Sequence, residues 1–233
     1  MRIYGLQKMT LLDYPGRVAC TVFLSGCDMR CPFCHNSELA EGKAEAVMDE
    51  SELMAFLRRR QGLLDGVAVT GGEPLLREET LELLRRIRDL GYPVKLDTNG
   101  THPERLRRAA EEGLIQYCAM DLKNSPDRYA ETAGLPVIPL DRVRESAAFL
   151  MEGGIDYEFR TTVVREFHDA DSFRAMGAWI HGARRYALQQ FTDRESVPFE
   201  GLHAPSEEEM RDWAAIMRPH VDEVLIRGTQ GNR

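Results

Sequence analysis

The chain has 233 residues, of which 43% are hydrophobic, and it carries a formal net charge of −8 at neutral pH. This length allows one large domain or two small ones, and the apolar content suffices for a buried core. The acidic balance argues against nucleic-acid and membrane partners, because binding to both depends on basic surface. The longest apolar run is far shorter than a membrane span, so we expect a soluble, cytoplasmic protein.

Short β-branched or apolar runs alternate along the chain with segments of helical periodicity. This alternation predicts an α/β fold in which βαβ units surround a parallel sheet. The predicted strands lie at 18–24, 67–70, 94–97, 115–121, 155–164, 186–191 and 221–227. Six or seven units are fewer than a closed eight-stranded barrel needs, so periodicity alone leaves a partial barrel and an open doubly wound sheet as alternatives.

Capping residues mark the ends of the predicted helices. Asp49 is predicted to cap one helix, and the pairs Thr101/Glu104 and Ser206/Glu209 are predicted to form capping boxes at the start of two others. The predicted helix stops are Gly91, Gly113, Gly153 and Pro219.

Three cysteines lie close together directly after the first predicted strand. Cys27, Cys31 and Cys34 follow the spacing C-x3-C-x2-C. Iron–sulfur clusters normally take four thiolates, so a four-iron cluster held by this loop would keep one iron open to a ligand other than protein. The pattern therefore predicts a cluster whose open iron is available for chemistry.

Two other uses of the cysteines are less favoured. A structural zinc ion would need a fourth ligand, and only His35 or the distant Cys20 is available. A disulfide framework does not suit five cysteines in a chain with the composition of a cytosolic enzyme. Cys20 and Cys118 lie in apolar, strand-like runs, so we expect them to be small core residues.

Polar residues stand at the end of one predicted strand after another. Each has an ordinary structural explanation, such as a turn at Gly71-Gly72 or an ion pair between Asp121 and Lys123. Because the carboxyl ends of parallel strands meet at one rim, their joint occurrence predicts a single active site there. The residues are Gly71, Gly72, Glu73, Asp97, Thr98, Asp121, Lys123, Arg160, Gln189 and Gln190.

The cysteine loop, followed further along the chain by Gly71-Gly72-Glu73-Pro74, resembles the radical S-adenosylmethionine (SAM) superfamily. The resemblance covers nearly the whole chain. It implies a partial (β/α)6-type barrel with parallel strands and one domain, 1–233, with its core at about 16–227. Segment 8–16, Cys34-His35-Asn36 and the residues around Asp97 and Asp121 are similar to the activases of glycyl-radical enzymes.

This resemblance implies one 4Fe–4S cluster on Cys27, Cys31 and Cys34, with SAM as the cofactor at the open iron. One electron from a donor such as flavodoxin or ferredoxin would split SAM into methionine and a 5′-deoxyadenosyl radical. In related activases that radical removes a Cα hydrogen from a glycine of a large glycyl-radical enzyme. The partner implied here is an anaerobic (class III) ribonucleoside-triphosphate reductase.

The resemblance also implies roles for the rim residues. Gly71, Gly72 and Glu73 would receive the SAM ammonium group, which needs an acceptor when it leaves water. Phe33 would pack near the adenine, and His35 would either approach the same base or lie on the surface at a helix start. The residues placed around the SAM carboxylate are Asp97, Thr98, Asp121, Lys123 and Arg160, with Lys123 and Arg160 as the preferred anchors.

Two features of this cofactor site remain open at the level of sequence. Asp97 and Asp121 should repel a carboxylate, so Lys123 and a monovalent cation near the two aspartates, as in related activases, would offset the charge. Relatives that activate pyruvate formate-lyase have a histidine on a late strand, and Gln190 is the predicted substitute. A pyruvate formate-lyase partner, a radical enzyme for small molecules or peptides, and a metal-binding sensor stay as alternatives.

Overall fold

A computed structural model describes residues 1–229, so the last four residues of the predicted domain 1–233 lie outside the described part. The strands are β1 (Arg2–Ile3), β2 (Gly5–Thr10), β3 (Ala19–Leu24), β4 (Met48–Asp49), β5 (Gly66–Gly71), β6 (Val94–Thr98), β7 (Tyr117–Asp121), β8 (Asp156–Val163), β9 (Ala183–Gln190) and β10 (Val221–Arg227). The helices are α1 (Ser37–Glu41), α2 (Glu50–Arg59), α3 (Glu79–Asp89), α4 (Pro103–Glu111), α5 (Tyr129–Thr132), α6 (Leu140–Glu152), α7 (Ala170–Trp179) and α8 (Glu207–Met217). None of these helices is both long and apolar enough to cross a lipid bilayer.

One sheet of eight strands forms the centre of the molecule, in the order β10-β9-β8-β7-β6-β5-β3-β2. All neighbours from β3 to β10 are parallel, and β2 adds an antiparallel edge strand. The seven predicted strands correspond to β3 and β5–β10, which confirms the α/β fold with a mostly parallel sheet. The sequence did not predict β2 or the small antiparallel pair of β1 and β4.

The two faces of the sheet carry different side chains. Val67, Leu96 and Cys118 lie on the face that packs against the helices, within one large apolar core. Cys20 and Cys118 are fully buried there, as predicted. The alternate positions point to the inner face, where Tyr14 and Tyr117 belong to a separate small apolar cluster. The remaining inner positions are largely polar, which makes this face the wall of the site described below.

Most predicted helix ends are confirmed. Asp49 forms a capping box with Glu52, and Ser206 forms one with Glu209. The predicted box of Thr101 and Glu104 is wrong, because α4 starts after His102 and no side chain caps it. The Thr101 hydroxyl instead donates to Asp28 at 2.6 Å. Each predicted stop is the C-cap residue or directly follows it; these stops are Gly91, Gly113, Gly153 and Pro219.

Candidate active site at the carboxyl ends of the strands

A cavity of about 260 Å³ lies where the parallel strands end. It brings together every residue predicted for the site except Glu73 and Gln190. The predicted residues that line it are Cys27, Cys31, Phe33, Cys34, His35, Gly71, Gly72, Asp97, Thr98, Asp121, Lys123 and Arg160. The common rim expected from parallel strands is therefore formed by side chains from the loop after β3 and from β5–β9.

The three predicted cluster ligands lie on one loop beside this cavity as free thiols. Burial raises the pKa of Cys27 to about 12 and that of Cys31 to about 11, so these thiols stay protonated until a metal stabilises the thiolate form. Among residues 1–229, no three side chains of His, Cys, Asp or Glu converge to hold a single metal ion. Ligands of a cluster are more widely spaced, because each thiolate binds a different iron. A three-thiol donor set beside an open cavity suits a 4Fe–4S cluster.

Backbone hydrogen bonds fix the first half of the cysteine loop. The Cys27 amide donates to the Ala40 carbonyl at 3.1 Å, and the Arg30 amide donates to the Ala133 carbonyl at 2.9 Å. Phe33, which lies between two of the cysteines, is buried against Phe167 with ring centroids 5.8 Å apart. The loop is therefore held in one shape by α1, by the turn after α5 and by an aromatic contact.

The Gly71-Gly72 turn packs directly on this loop. A Cβ atom on Gly71 would lie 2.1 Å from the Leu24 carbonyl oxygen, and one on Gly72 would lie 2.1 Å from the Gly26 carbonyl oxygen. The Gly72 amide donates to the Leu24 carbonyl at 2.9 Å. Only glycine fits at these two positions, because any side chain would separate the turn from the cysteine loop.

Glu73 joins the same turn to the end of β6. Its carboxylate is 2% exposed and accepts hydrogen bonds from the Leu75 amide at 2.9 Å, the Thr98 hydroxyl at 2.8 Å and the Asn99 amide at 2.7 Å. Burial raises its pKa to about 7, against the effect of these donors. The contact between Glu73 and the SAM ammonium group stays a prediction, because this carboxylate is outside the cavity lining and already holds three donors.

Charged side chains form a continuous array on the wall of the cavity. Arg160 lies between two aspartates, with Nη1 3.3 Å from Asp97 Oδ2 and Nε 2.9 Å from Asp121 Oδ1. Lys123 Nζ donates to the other oxygen of Asp121 at 3.0 Å. Burial alone would raise the pKa of Asp121, but the charges of Arg160 and Lys123 lower it to about 2. Both aspartates are therefore ionised, and the two predicted anchors face them directly.

Lys95 is a member of this array that the sequence reasoning missed. Its ammonium group donates to Asp97 Oδ1, and the residue is 2% exposed. Lys95 and Asp97 are two residues apart on β6, so the alternation of a strand puts both on the inner face. The two-residue alternation of the strand would have sufficed to predict this placement of Lys95 from the sequence.

One polar residue of the rim differs from expectation. The Gln190 side chain turns away from the cavity and donates to the Pro205 carbonyl at 2.8 Å, whereas Gln189 lines the cavity. Neighbouring residues of a strand point to opposite faces, so only one of the two can reach the site. His35 lines the cavity while its Nε2 bonds to the Thr192 carbonyl at 2.7 Å and its ring stacks on Phe191.

A second polar network, also missed, lies behind Cys27. Asp28 accepts from Asn99 Nδ2 at 2.8 Å and from the Thr101 hydroxyl at 2.6 Å, and His102 Nε2 is 3.2 Å from its carboxylate. Burial opposes ionisation of Asp28, but these contacts hold its pKa well below the usual range. Asn99 Nδ2 also lies 3.7 Å from the Cys27 sulfur. Asp28 is more than seventy residues away from Asn99 and Thr101 in sequence, so no spacing could have revealed their contact.

Comparison with known proteins assigns the family. The family model described as the Radical SAM superfamily matches residues 21–175. The chain belongs to the radical SAM superfamily. A protein of Methanocaldococcus jannaschii, provisionally named a glycyl-radical enzyme activating enzyme, is 30% identical over 98% of this chain and 97% of its own length. Within the superfamily the chain therefore groups with the glycyl-radical enzyme activases.

One further relative agrees with this assignment over a shorter stretch, and two solved structures share the fold. The pyruvate formate-lyase-activating enzyme of Clostridium pasteurianum is 34% identical over 42% of this chain and 43% of its own length. The structure of Streptococcus suis SuiB bound to S-adenosylmethionine superposes with a TM-score of 0.67 at 14% identity, over 90% of this chain and 52% of SuiB. A domain of pyruvate-formate lyase-activating enzyme from Bacteroides vulgatus gives 0.58 at 19% identity, over 70% of this chain and 99% of that domain. These two likenesses support the fold.

Proposed function

We propose that the protein activates an anaerobic ribonucleoside-triphosphate reductase by removing a Cα hydrogen from one glycine of that enzyme. One observation carries the proposal: three free thiols, a glycine turn and a partly buried array of charges line one cavity at the ends of the strands. The superfamily implies a 4Fe–4S cluster and SAM, which together supply a 5′-deoxyadenosyl radical when an electron is delivered. The protein's own contribution is to position and shield these groups.

Different residues of the cavity would hold different parts of the cluster and SAM. Cys27, Cys31 and Cys34 would hold the cluster, and the backbone of Gly71 and Gly72, which borders the cavity, would receive the SAM ammonium group. Phe33 and His35 would border the adenine. The SAM carboxylate would lie among Asp97, Thr98, Asp121, Lys123, Arg160 and Gln189. These placements are supported by the fact that all of these residues line the same cavity.

A class III reductase is favoured over pyruvate formate-lyase by the late-strand sequence. Glutamines occupy the stretch where pyruvate formate-lyase activases are expected to have a histidine, and Gln189 is the one at the cavity. The match to the Clostridium pasteurianum activase covers less than half of this chain, whereas the match to the Methanocaldococcus jannaschii protein covers nearly all of it. A flavodoxin or ferredoxin in the cytoplasm is the proposed electron donor.

The test is anaerobic reconstitution with iron, sulfide, reductant and SAM, followed by mixing with a class III reductase. We expect 5′-deoxyadenosine and a glycyl-radical signal on the reductase by electron paramagnetic resonance. Cys31→Ser should abolish both products, and Cys118→Ser, which changes a core cysteine, should retain them.

Other outcomes would reject all or part of the proposal. If wild-type protein forms no 5′-deoxyadenosine, the enzymatic assignment is wrong. A glycyl signal on pyruvate formate-lyase but none on the reductase would reject the proposed partner. If 5′-deoxyadenosine forms while neither enzyme acquires a signal, the substrate is another molecule.

A further inference from the structure

Every carboxylate oxygen at the centre of the charged array is paired with a nitrogen. Asp97 receives Lys95 on Oδ1 and Arg160 on Oδ2, the latter at 3.3 Å. Asp121 receives Arg160 on Oδ1 at 2.9 Å and Lys123 on Oδ2 at 3.0 Å. The guanidinium of Arg160 thus occupies the space between the two aspartates, where an added cation would have to find its oxygen ligands.

Lys95 differs from the other two cations in position. Lys123 and Arg160 line the cavity, whereas Lys95 lies beneath Asp97 and does not reach the lining. It is buried, and its ammonium group contacts a carboxylate that does line the cavity. Lys95 is therefore placed to act on a ligand through Asp97 and not by touching it.

The balance of charge in the array favours an anion. Lys95, Lys123 and Arg160 carry three positive charges against two negative charges on Asp97 and Asp121, which leaves a surplus of one positive charge. A carboxylate entering the cavity would neutralise that surplus, while a metal cation would add to it in a buried site of low dielectric. Without Lys95 the same array would be neutral, and an entering carboxylate would make it negative.

We propose that Lys95 is a built-in counter-ion of the SAM carboxylate site. It takes the part that a monovalent cation would otherwise take, so this protein binds SAM without sodium or potassium. The inference rests on the proposed placement of the SAM carboxylate among these residues. Lys95 is a positioning residue, because its ammonium group acts through Asp97, and in this proposal it replaces the monovalent cation expected near Asp97 and Asp121.

The test measures SAM affinity of the cluster-loaded protein in chloride salts of tetramethylammonium, sodium and potassium at equal ionic strength. Wild-type affinity should be the same in all three salts. Lys95→Gln should weaken binding by at least about tenfold in tetramethylammonium, since one member of a buried charge network is removed. Sodium or potassium should then restore most of the affinity, because a small cation can replace the missing ammonium group.

Two further variants serve as controls. Lys95→Met removes the charge but keeps an aliphatic chain of similar length, so it covers the case in which glutamine disturbs folding. Lys43→Gln removes a lysine whose side chain is 72% exposed, and it should behave as wild type in every salt. The thermal midpoint of each variant without cluster gives a second readout, and potassium should raise it in the Lys95 variants more than in wild type.

Several results would overturn the inference. Wild-type affinity that increases with sodium or potassium would show that an external cation is required. Unchanged binding by Lys95→Gln and Lys95→Met in all salts would show that Lys95 plays no part. Weakened binding that no cation restores, in variants that remain folded, would reduce Lys95 to a packing role. If wild-type protein binds no SAM in any salt, the proposed function itself fails and the inference fails with it.

Discussion

The two ends of the parallel sheet use the same residue types for different purposes. At the carboxyl end, Gly71 and Gly72 let the turn after β5 approach the backbone of the cysteine loop. At the amino end, Gly91 and Gly113 have positive φ angles of 89° and 65°, a backbone conformation that favours glycine. A Cβ atom at either position would meet nothing within 4 Å. Gly71 and Gly72 therefore permit close contact between two backbone segments, whereas Gly91 and Gly113 serve only to end a helix.

Buried charges show the same contrast. Glu158 lies on the inner face, nearer than Arg160 to the amino end of β8. It is paired one to one with Arg227 through hydrogen bonds of 2.9 and 2.7 Å. The array around Arg160 has one cation in excess and borders a cavity. Both sets contain carboxylates that are largely shielded from solvent, so such shielding does not mark the functional site. What marks the functional site is an excess of positive charge beside a cavity.

The largest effect is expected when the two arginines of this contrast are exchanged for methionine. Arg160→Met leaves Asp97 and Asp121 without their bridge, so SAM affinity should fall at least about 100-fold and unfolding free energy by about 3 kcal/mol or more. Arg227→Met leaves Glu158 unpaired and should lower stability by about 1–3 kcal/mol, with SAM affinity within about twofold of wild type. SAM titration and chemical denaturation measure both quantities. A folded Arg160→Met protein with wild-type affinity would contradict the assignment of the array to SAM.

Alanine at the two classes of glycine should give a smaller contrast. In Gly72→Ala the new Cβ lies against the Gly26 carbonyl, so the cysteine loop must shift; we expect a loss of about 1–3 kcal/mol and of most of the reconstituted iron. Gly113→Ala should lose about 1 kcal/mol for its left-handed backbone and keep its iron. Iron analysis after anaerobic reconstitution distinguishes them. Equal iron content in both variants would show that the close contact does not shape the loop.

The smallest effect concerns pH. A carboxylate whose pKa is lowered on folding stabilises the protein above its unfolded pKa, and this stability is lost as pH falls through the folded value. For Asp121 the window runs from 3.8 down to about 2, with a slope of up to about 1.4 kcal/mol per pH unit. Asp121→Asn should flatten this part of the stability profile of the cluster-free protein, and Asp141→Asn, whose side chain is 97% exposed, should not. If stability changes with pH in the same way in wild type and in Asp121→Asn, the strong pairing of Asp121 with Arg160 and Lys123 is refuted.

The sequence predicted the elements whose signals are local. The seven parallel strands are apolar or β-branched runs, and the rule that such strands end at one rim brought Cys27 and Arg160 to the same cavity. Strand β2 was missed because the run Gly5–Thr10 has a glycine start and polar residues in its middle, and its pairing depends on a tertiary neighbour. The network of Asp28 and His102 was missed for the same reason.

The error at Gln190 has a different origin. Two successive glutamines end β9, and the choice between them depends on which phase of the strand faces inward. That phase is set by pairing with β8, where Gln189 aligns with Thr162 on the cavity side. Lys95 is the opposite case, because it could have been predicted. The alternation of side chains along β6 places it on the same face as Asp97 and beneath it.

The most direct test of the central claim is the electron paramagnetic resonance spectrum of the reduced cluster with and without SAM. Three cysteine ligands leave one iron open, so the spectrum should change when SAM binds, in wild type and in Cys118→Ser alike. A four-iron cluster whose spectrum is unaffected by saturating SAM, because a fourth side chain holds the last iron, would contradict the account.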